Sequence, residues 1–461
     1  MAAQSLSPNT PLAEIDPVWA WSPLTPAFRP WTRELAAHLY RRAGFSATWA
    51  ELDEAVADGC HRTVERLLSR APQSDSFYGE ADRSVAALLA SGNANHLSAW
   101  WLYVMLNSPQ PLLEKLTLFW HGHFATSAAK VTDGRMMFAQ HALLRKHALG
   151  HFGPLLEELS KDPAMLVWLD STTNHKAHPN ENFAREVMEL FCLGIGHYTE
   201  HDIKDAARAF TGWELRKDQF RFNRYQHDDG LKSLLGKSGR FTGDDVLKIL
   251  LEQPATARFL VGKLYRFIVN ETVEPPATLL EPLAAGFRAA EYDMTWLLRT
   301  MLRSNFFYSP HAMQQRIKSP VEFAIGLLHS LEGSANTYAL ADDLRDLGQA
   351  VFFPPNVKGW DGGAAWINSS TLVGRANLVW NVVSDRDGRY NTRLALDCLP
   401  ALSGLGDPAA ISRRLADLLL AFPLPDAVYV QLAAVAADKI SGNQLARAVQ
   451  AIATLPEFQL A

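Results

Sequence analysis

The chain has 461 residues, 48% of them hydrophobic and 20% charged, and a net charge of −5. This is a globular composition, with enough apolar material for one very large domain or two to three ordinary ones. The small acidic balance, with no Lys/Arg run longer than a pair, argues against nucleic-acid or anionic-membrane binding.

Three widely spaced cysteines, Cys60, Cys192 and Cys398, argue against both a disulfide framework and a cysteine zinc site. The apolar runs at 99–106 and 418–422 stop far short of a bilayer span. The N-terminus has no basic segment followed by an apolar core, so we expect a cytoplasmic protein, or one exported behind a partner's signal.

Residues 1–30 are rich in Pro, Ser and Ala, with Trp19 and Trp21 near the end, and read as an irregular arm held by its aromatics. From Trp31 the apolar spacing is helical, and a main helical domain is expected over 31–380. Its early helices are predicted at 34–42, 48–58, 61–69, 98–106, 112–120, 135–149 and 155–159. Thr48-x-x-Glu51 is a capping box, and Gly59 a stop. Later helices fit 199–210, 243–251, 255–267, 276–290, 294–302, 320–331 and 340–347, with Thr199/Asp202 and Thr242/Asp245 as caps. Strand signals are few, Phe220-Arg221-Phe222 being the best. The fold class is therefore all-α, with long irregular segments at 212–240 and 352–370. Residues 381–400 read as a linker. Helices at 411–420, 427–439 and 443–454 then form a small C-terminal subdomain.

Four motifs carry chemistry. In Phe119-Trp120-His121-Gly122-His123-Phe124, two imidazoles at i and i+2 can chelate one metal ion if Gly122 breaks the helix; on a continuous helix they diverge by about 160°. The alternative is a pair of helix-terminus histidines. In the run 180–194, NENFAREVMELFCLG, a single helix would gather Glu181, Asn182, Arg185, Glu186 and Glu189 within about 140°. Glu186 and Glu189, at i and i+3, are spaced as paired ligands on one helix. Arg185 could equally neutralise Glu181 and Glu189 as an ion-pair ladder. His227-Asp228 on a loop can reach one ion or act as base and orienting partner, and Asp229-Gly230 is also a plain turn. Lys358, Trp360 and Trp366 lie on a Gly/Pro-shaped segment that can wall a pocket or merely cover the core. No nucleotide loop, nucleophile elbow or H-E-x-x-H helix is present.

Together these motifs resemble DUF1800, a large bacterial family of unknown function. The likeness includes Arg41-Arg42-Ala43-Gly44-Phe45, the 119–124 box and Pro179 through Glu186. It continues through Gly194, Tyr198, Asp202, Thr211-Gly212-Trp213 and His227-Asp228, then Ile317-Lys318-Ser319-Pro320, Pro355 through Trp360, and Pro456-Glu457-Phe458-Gln459. The resemblance implies no settled activity. It implies a partner, because such proteins are frequent neighbours of DUF1501 proteins, which resemble sulfatase and alkaline-phosphatase folds and often carry a twin-arginine signal.

The first expectation is a metal-dependent enzyme, hydrolytic or redox-neutral. His121, His123, Glu186, His227 and Asp228 would hold a divalent or transition metal ion. Glu189 would bridge or act as base, and Asn182 and Arg185 would orient substrate or ligands. The alternative is a non-catalytic assembly or co-export partner of a DUF1501-type protein, docking through Trp19 and Trp21. A metal-free acid/base enzyme using Glu186 and Glu189 is the third reading.

Overall fold

In a computed structural model of the chain, the structure describes residues 6–90, 94–385, 388–394, 396–420, 422–435 and 442–461. The first five residues of the arm, residues 386–387 and 395 of the expected linker, and the expected helix end at Lys439 lie outside the described residues.

The described residues form a helical body with two small antiparallel hairpins. The arm contains α1 (Pro17–Trp21), where Trp21 is buried and donates its indole N–H to Leu279 O at 2.6 Å. Trp19 packs edge-on against Phe28, with ring centroids 5.0 Å apart. Trp21 thus holds the arm to the body and is not available as an exposed docking element.

The amphipathic spacing produces α2 (Arg33–Ala43), α3 (Trp49–Leu68), α4 (Ser74–Ala90), α5 (Asn95–Asn107) and α6 (Pro111–His123). Thr48 and Glu51 close the expected capping box of α3. Gly59, at φ 79° and ψ 165°, is non-helical and divides this element into two helical stretches that meet at a kink, as the expected stop required. After α6 come α7 (Gly134–His147), α8 (Phe152–Ser160), α9 (Pro163–Trp168) and α10 (Asn182–Glu186). α10 runs directly into a π-helical segment, Val187–Cys192, in which Leu193 N donates to Met188 O at 2.7 Å. The 180–194 run is therefore not one continuous α-helix; the extra residue in the turn moves Glu189 out of the register assumed for Glu186.

α11 (Glu200–Ala209) and α12 (Gly243–Glu252) begin at the Thr199 and Thr242 capping boxes. Between them the expected irregular segment holds β1 (Trp213–Arg216) paired with β2 (Gln219–Phe222), and β3 (Lys232–Leu234) paired with β4 (Lys237–Gly239). Both connections are two-residue turns with positive φ: 54° and 60° at Lys217-Asp218, 50° and 80° at Leu235-Gly236. That mirror-image geometry matches the strand twist, but only Gly236 announces it in the sequence.

α13 (Pro254–Ile268), α14 (Ala277–Ala289), α15 (Met294–Leu302), α16 (Pro320–Ser330) and α17 (Thr337–Asp346) complete the central body. The 352–368 segment is irregular apart from a 3-10 turn at Gly363–Trp366. α18 (Ser369–Ser384), capped by Asn368, enters the start of the expected linker. α19 (Pro408–Leu419), α20 (Asp426–Val435) and α21 (Gly442–Ala453) follow.

One continuous hydrophobic cluster runs from Ile15 to Phe458, so the C-terminal helices share the core of the main body. Arg41 donates to Leu418 O at 3.2 Å, and Phe323 packs edge-on against Phe458 at 5.3 Å. Among the described residues no helix is long and apolar enough to cross a membrane.

Candidate functional site

A cavity of about 250 Å³ lies where the C-terminal turns of α6, the C-terminal part of α13, the start of α16 and the 358–366 loop meet. α6 contributes Phe119, Gly122 and His123; α13 contributes Lys263, Arg266 and Phe267. The loop contributes Lys358, Trp360, Asp361 and Trp366, and the floor contains Arg316, Ser319 and Glu322.

The loop is held to α6 by a close backbone approach. Gly359 has φ 80°, and a Cβ there would meet Gly122 O at 2.4 Å, so a side chain is excluded on two counts. Gly122 does not break α6: the helix continues to His123, and the two imidazoles point to different neighbours. His121 Nε2 accepts the Phe352 N–H at 3.0 Å and lies 5.6 Å from the Trp360 ring, at the root of the loop. Phe352 has φ 68°, a left-handed conformation costly for a non-glycine residue, and this hydrogen bond helps hold it. Burial pushes the His121 pKa down to about 3, so the ring is a neutral acceptor.

His123 is turned toward α13 and the π-helical segment. Its Nε2 lies 3.1 Å from Phe191 O, which can only accept, so Nε2 carries the proton. Nδ1 then accepts from Lys263 Nζ at 3.2 Å. Burial, then the charge of Lys263, holds His123 well below the ordinary imidazole range. Lys263 Nζ also donates to Leu190 O at 3.0 Å and lies 4.8 Å from the centre of the Phe259 ring. Thus Lys263 and His123 together satisfy two carbonyls in the last turn of the π-helical segment. Burial lowers the Lys263 pKa to about 8. Among the described residues neither this amine nor that of Lys358 is in an ion pair with a carboxylate, although the Lys358 charge acts on Glu186.

The acids of the cavity are differently placed. Glu322 is buried and pairs with Lys115 and with Arg316 at 3.0 Å, while accepting Ser319 N–H at 2.7 Å. Burial alone would raise its pKa, but Arg316 and Lys115 hold it far below the carboxylate range. Glu271 accepts Ile317 N–H at 2.5 Å and lies 3.8 Å from Arg316 Nε. These contacts already employ both acids, leaving Asp361 as the carboxylate of the wall with no ion-pair partner among the described residues.

The carboxylate run adjoins this cavity without lining it. Glu186 is half-buried, and burial followed by the nearby Glu189 raises its pKa, against the opposing charges of Arg185 and Lys358. Glu189 accepts the Tyr198 O–H at 2.6 Å. Arg185 pairs bidentately with Glu200 at 2.8 and 2.9 Å and with Glu181 at 3.2 Å, so its ladder reaches Glu200 rather than Glu189. Asn182 donates to Leu169 O at 3.1 Å and acts as a local clamp.

His227 and Asp228 are elsewhere. His227 Nδ1 donates to Thr211 O at 2.9 Å, and Asp228 accepts from Arg208 Nε at 2.7 Å. The Arg208 hydrogen bond is the main cause of the lowered Asp228 pKa. The pair locks the hairpin segment onto α11. The expected five-residue metal shell is therefore not assembled. His121 and His123 diverge because α6 continues, both nitrogens of His123 are spent, and Arg208 occupies Asp228. Among the described residues no three His, Cys, Asp or Glu side chains lie together as an ion-holding group.

The sequence reading missed Lys263, Arg266, Arg316 and Glu322 as site residues. The resemblance contained one signal for this region, Ile317-Lys318-Ser319-Pro320. Lys263 had only its place beside the apolar stripe of α13, four residues from Phe259 and Phe267.

No curated protein and no solved structure matches the chain. The family model described as a protein of unknown function, DUF1800, matches residues 38–460, nearly the whole chain, and the protein belongs to that family.

Proposed function

We propose that the protein binds a small organic anion in the cavity between α6, α13 and the 358–366 loop. One observation carries this reading: two amines, Lys263 and Lys358, line the same cavity, and among the described residues neither is in an ion pair with a carboxylate. Lys263 carries a desolvation cost as a cation, Lys358 on the exposed loop adds a second positive charge, and a bound carboxylate or phosphate would give both a counter-ion. The Trp360 and Trp366 walls suit an apolar or flat body on that anion. Asp361 leaves room for a donor group elsewhere on the ligand.

The test is a titration with acetate, pyruvate, benzoate and inorganic phosphate, read by tryptophan fluorescence and calorimetry. At least one is expected to saturate. Lys358→Gln should weaken it about tenfold or more, the value of one charge-assisted hydrogen bond. Failure of all four to bind, or equal binding by the variant, refutes the reading.

A further inference from the structure

Resting on the anion site above, we propose that Lys263 is a nucleophile that forms an imine with an aldehyde or ketone group of that anion. The hydrogen bonds around Nζ bear on its protonation state. An ammonium has three N–H donors, whereas a neutral amine has two and a lone pair. Two acceptors meet Lys263 Nζ: Leu190 O at 3.0 Å and His123 Nδ1 at 3.2 Å. The acceptor role of His123 Nδ1 follows from its other nitrogen, which must donate to Phe191 O at 3.1 Å. These two acceptors, with the Phe259 ring centre 4.8 Å away as a further neighbour and no ion-paired carboxylate among the described residues, suit the neutral amine. In that state its lone pair is left without a partner, and Lys263 lines the cavity where a carbonyl would approach.

Burial acts in the same direction. With a pKa of about 8, roughly a tenth of the amine is neutral at pH 7, far more than for a solvated lysine. Lysines that attack carbonyls are activated by desolvation of this kind.

The step balances without a further reactant. The Nζ lone pair forms a bond to the carbonyl carbon, and the carbonyl π pair moves to oxygen, giving a carbinolamine. The two amine protons and that oxygen leave as one water, and the C=N bond replaces the C=O bond. His123 Nδ1, hydrogen-bonded to the amine from the start, is placed to take the first proton. Lys358, on the loop across the same cavity, would hold the carboxylate or phosphate end. The substrate class is therefore a carbonyl-bearing anion, such as a 2-oxo acid.

The experiment uses the full chain with pyruvate, glyoxylate and phenylpyruvate separately, each reduced with borohydride and read by intact mass and peptide mapping. The expected result is one adduct per chain with the mass of the oxo acid less one oxygen, located on Lys263. It should be absent from Lys263→Arg and formed about tenfold more slowly in Lys358→Gln. Fluorescence titration of the same ligands separates the two ideas. Saturable binding without an adduct on Lys263 overturns the imine and leaves the anion site standing. Adducts spread over other lysines also overturn it. Neither binding nor adduct removes both.

Discussion

Replacing Lys263 by methionine exposes the energetic signature of the buried amine. In the folded chain its pKa is about 8, against an ordinary value of 10.5. Between these values the unfolded chain still holds a proton that the folded chain has released. Stability must therefore rise with pH through that window, by up to 1.36 kcal/mol per unit. Summed over the window, wild type should gain about 3 kcal/mol relative to a variant that does not titrate there. Methionine keeps the length and the contact with Phe259, but leaves Leu190 O and His123 Nδ1 without their donor. That loss, about 1–3 kcal/mol per group, offsets the removed desolvation cost at pH 7. A single measurement at neutral pH would thus show little, whereas the pH dependence separates the effects. The assay is urea unfolding of both proteins from pH 7 to 10.5, with the difference in unfolding free energy plotted against pH. Other groups titrate alike in both chains and cancel. Parallel profiles, within about 0.5 kcal/mol, would refute the lowered pKa.

Glu322→Gln should destabilise the fold by about 3–5 kcal/mol, because Lys115 and Arg316 would remain buried without their shared carboxylate. An unchanged urea midpoint would show that the cluster is dispensable. The carboxyl is held low in the folded state, so the stability it contributes is present above the unfolded carboxylate pKa and lost as pH falls through the folded value. Gly359→Ala should cost at least the roughly 1–2 kcal/mol of a left-handed alanine, and the added Cβ should lift the loop from Gly122 O. A red-shifted tryptophan emission and weaker anion binding are expected. Unchanged emission and affinity would disprove the close-packed loop.

Much of the scaffold was legible locally. Capping boxes at Thr48, Thr199 and Thr242, and apolar spacing along α6, α12, α13 and α15, are short-range signals expressed within one or two turns. The hairpins were less legible because Lys217-Asp218 and Leu235-Gly236 are weak advertisements for their turns. The π-helical segment was not legible at all: nothing in Val187–Cys192 marks a widened turn, and Glu189 left the register counted for it relative to Glu186.

The sequence by itself determined an all-α chain of the DUF1800 family, with helix starts and a Gly-shaped loop carrying Lys358, Trp360 and Trp366. Tertiary structure alone decided which side chains share a cavity. Lys263 reaches Leu190 O across 73 residues and His123 across 140, while His227 and Asp228 turn aside to Thr211 and Arg208. Helix periodicity is a property of neighbours in the chain. The partners of a buried amine or imidazole are selected by the packing of distant helices, where a polar group finds either a mate or a desolvation cost.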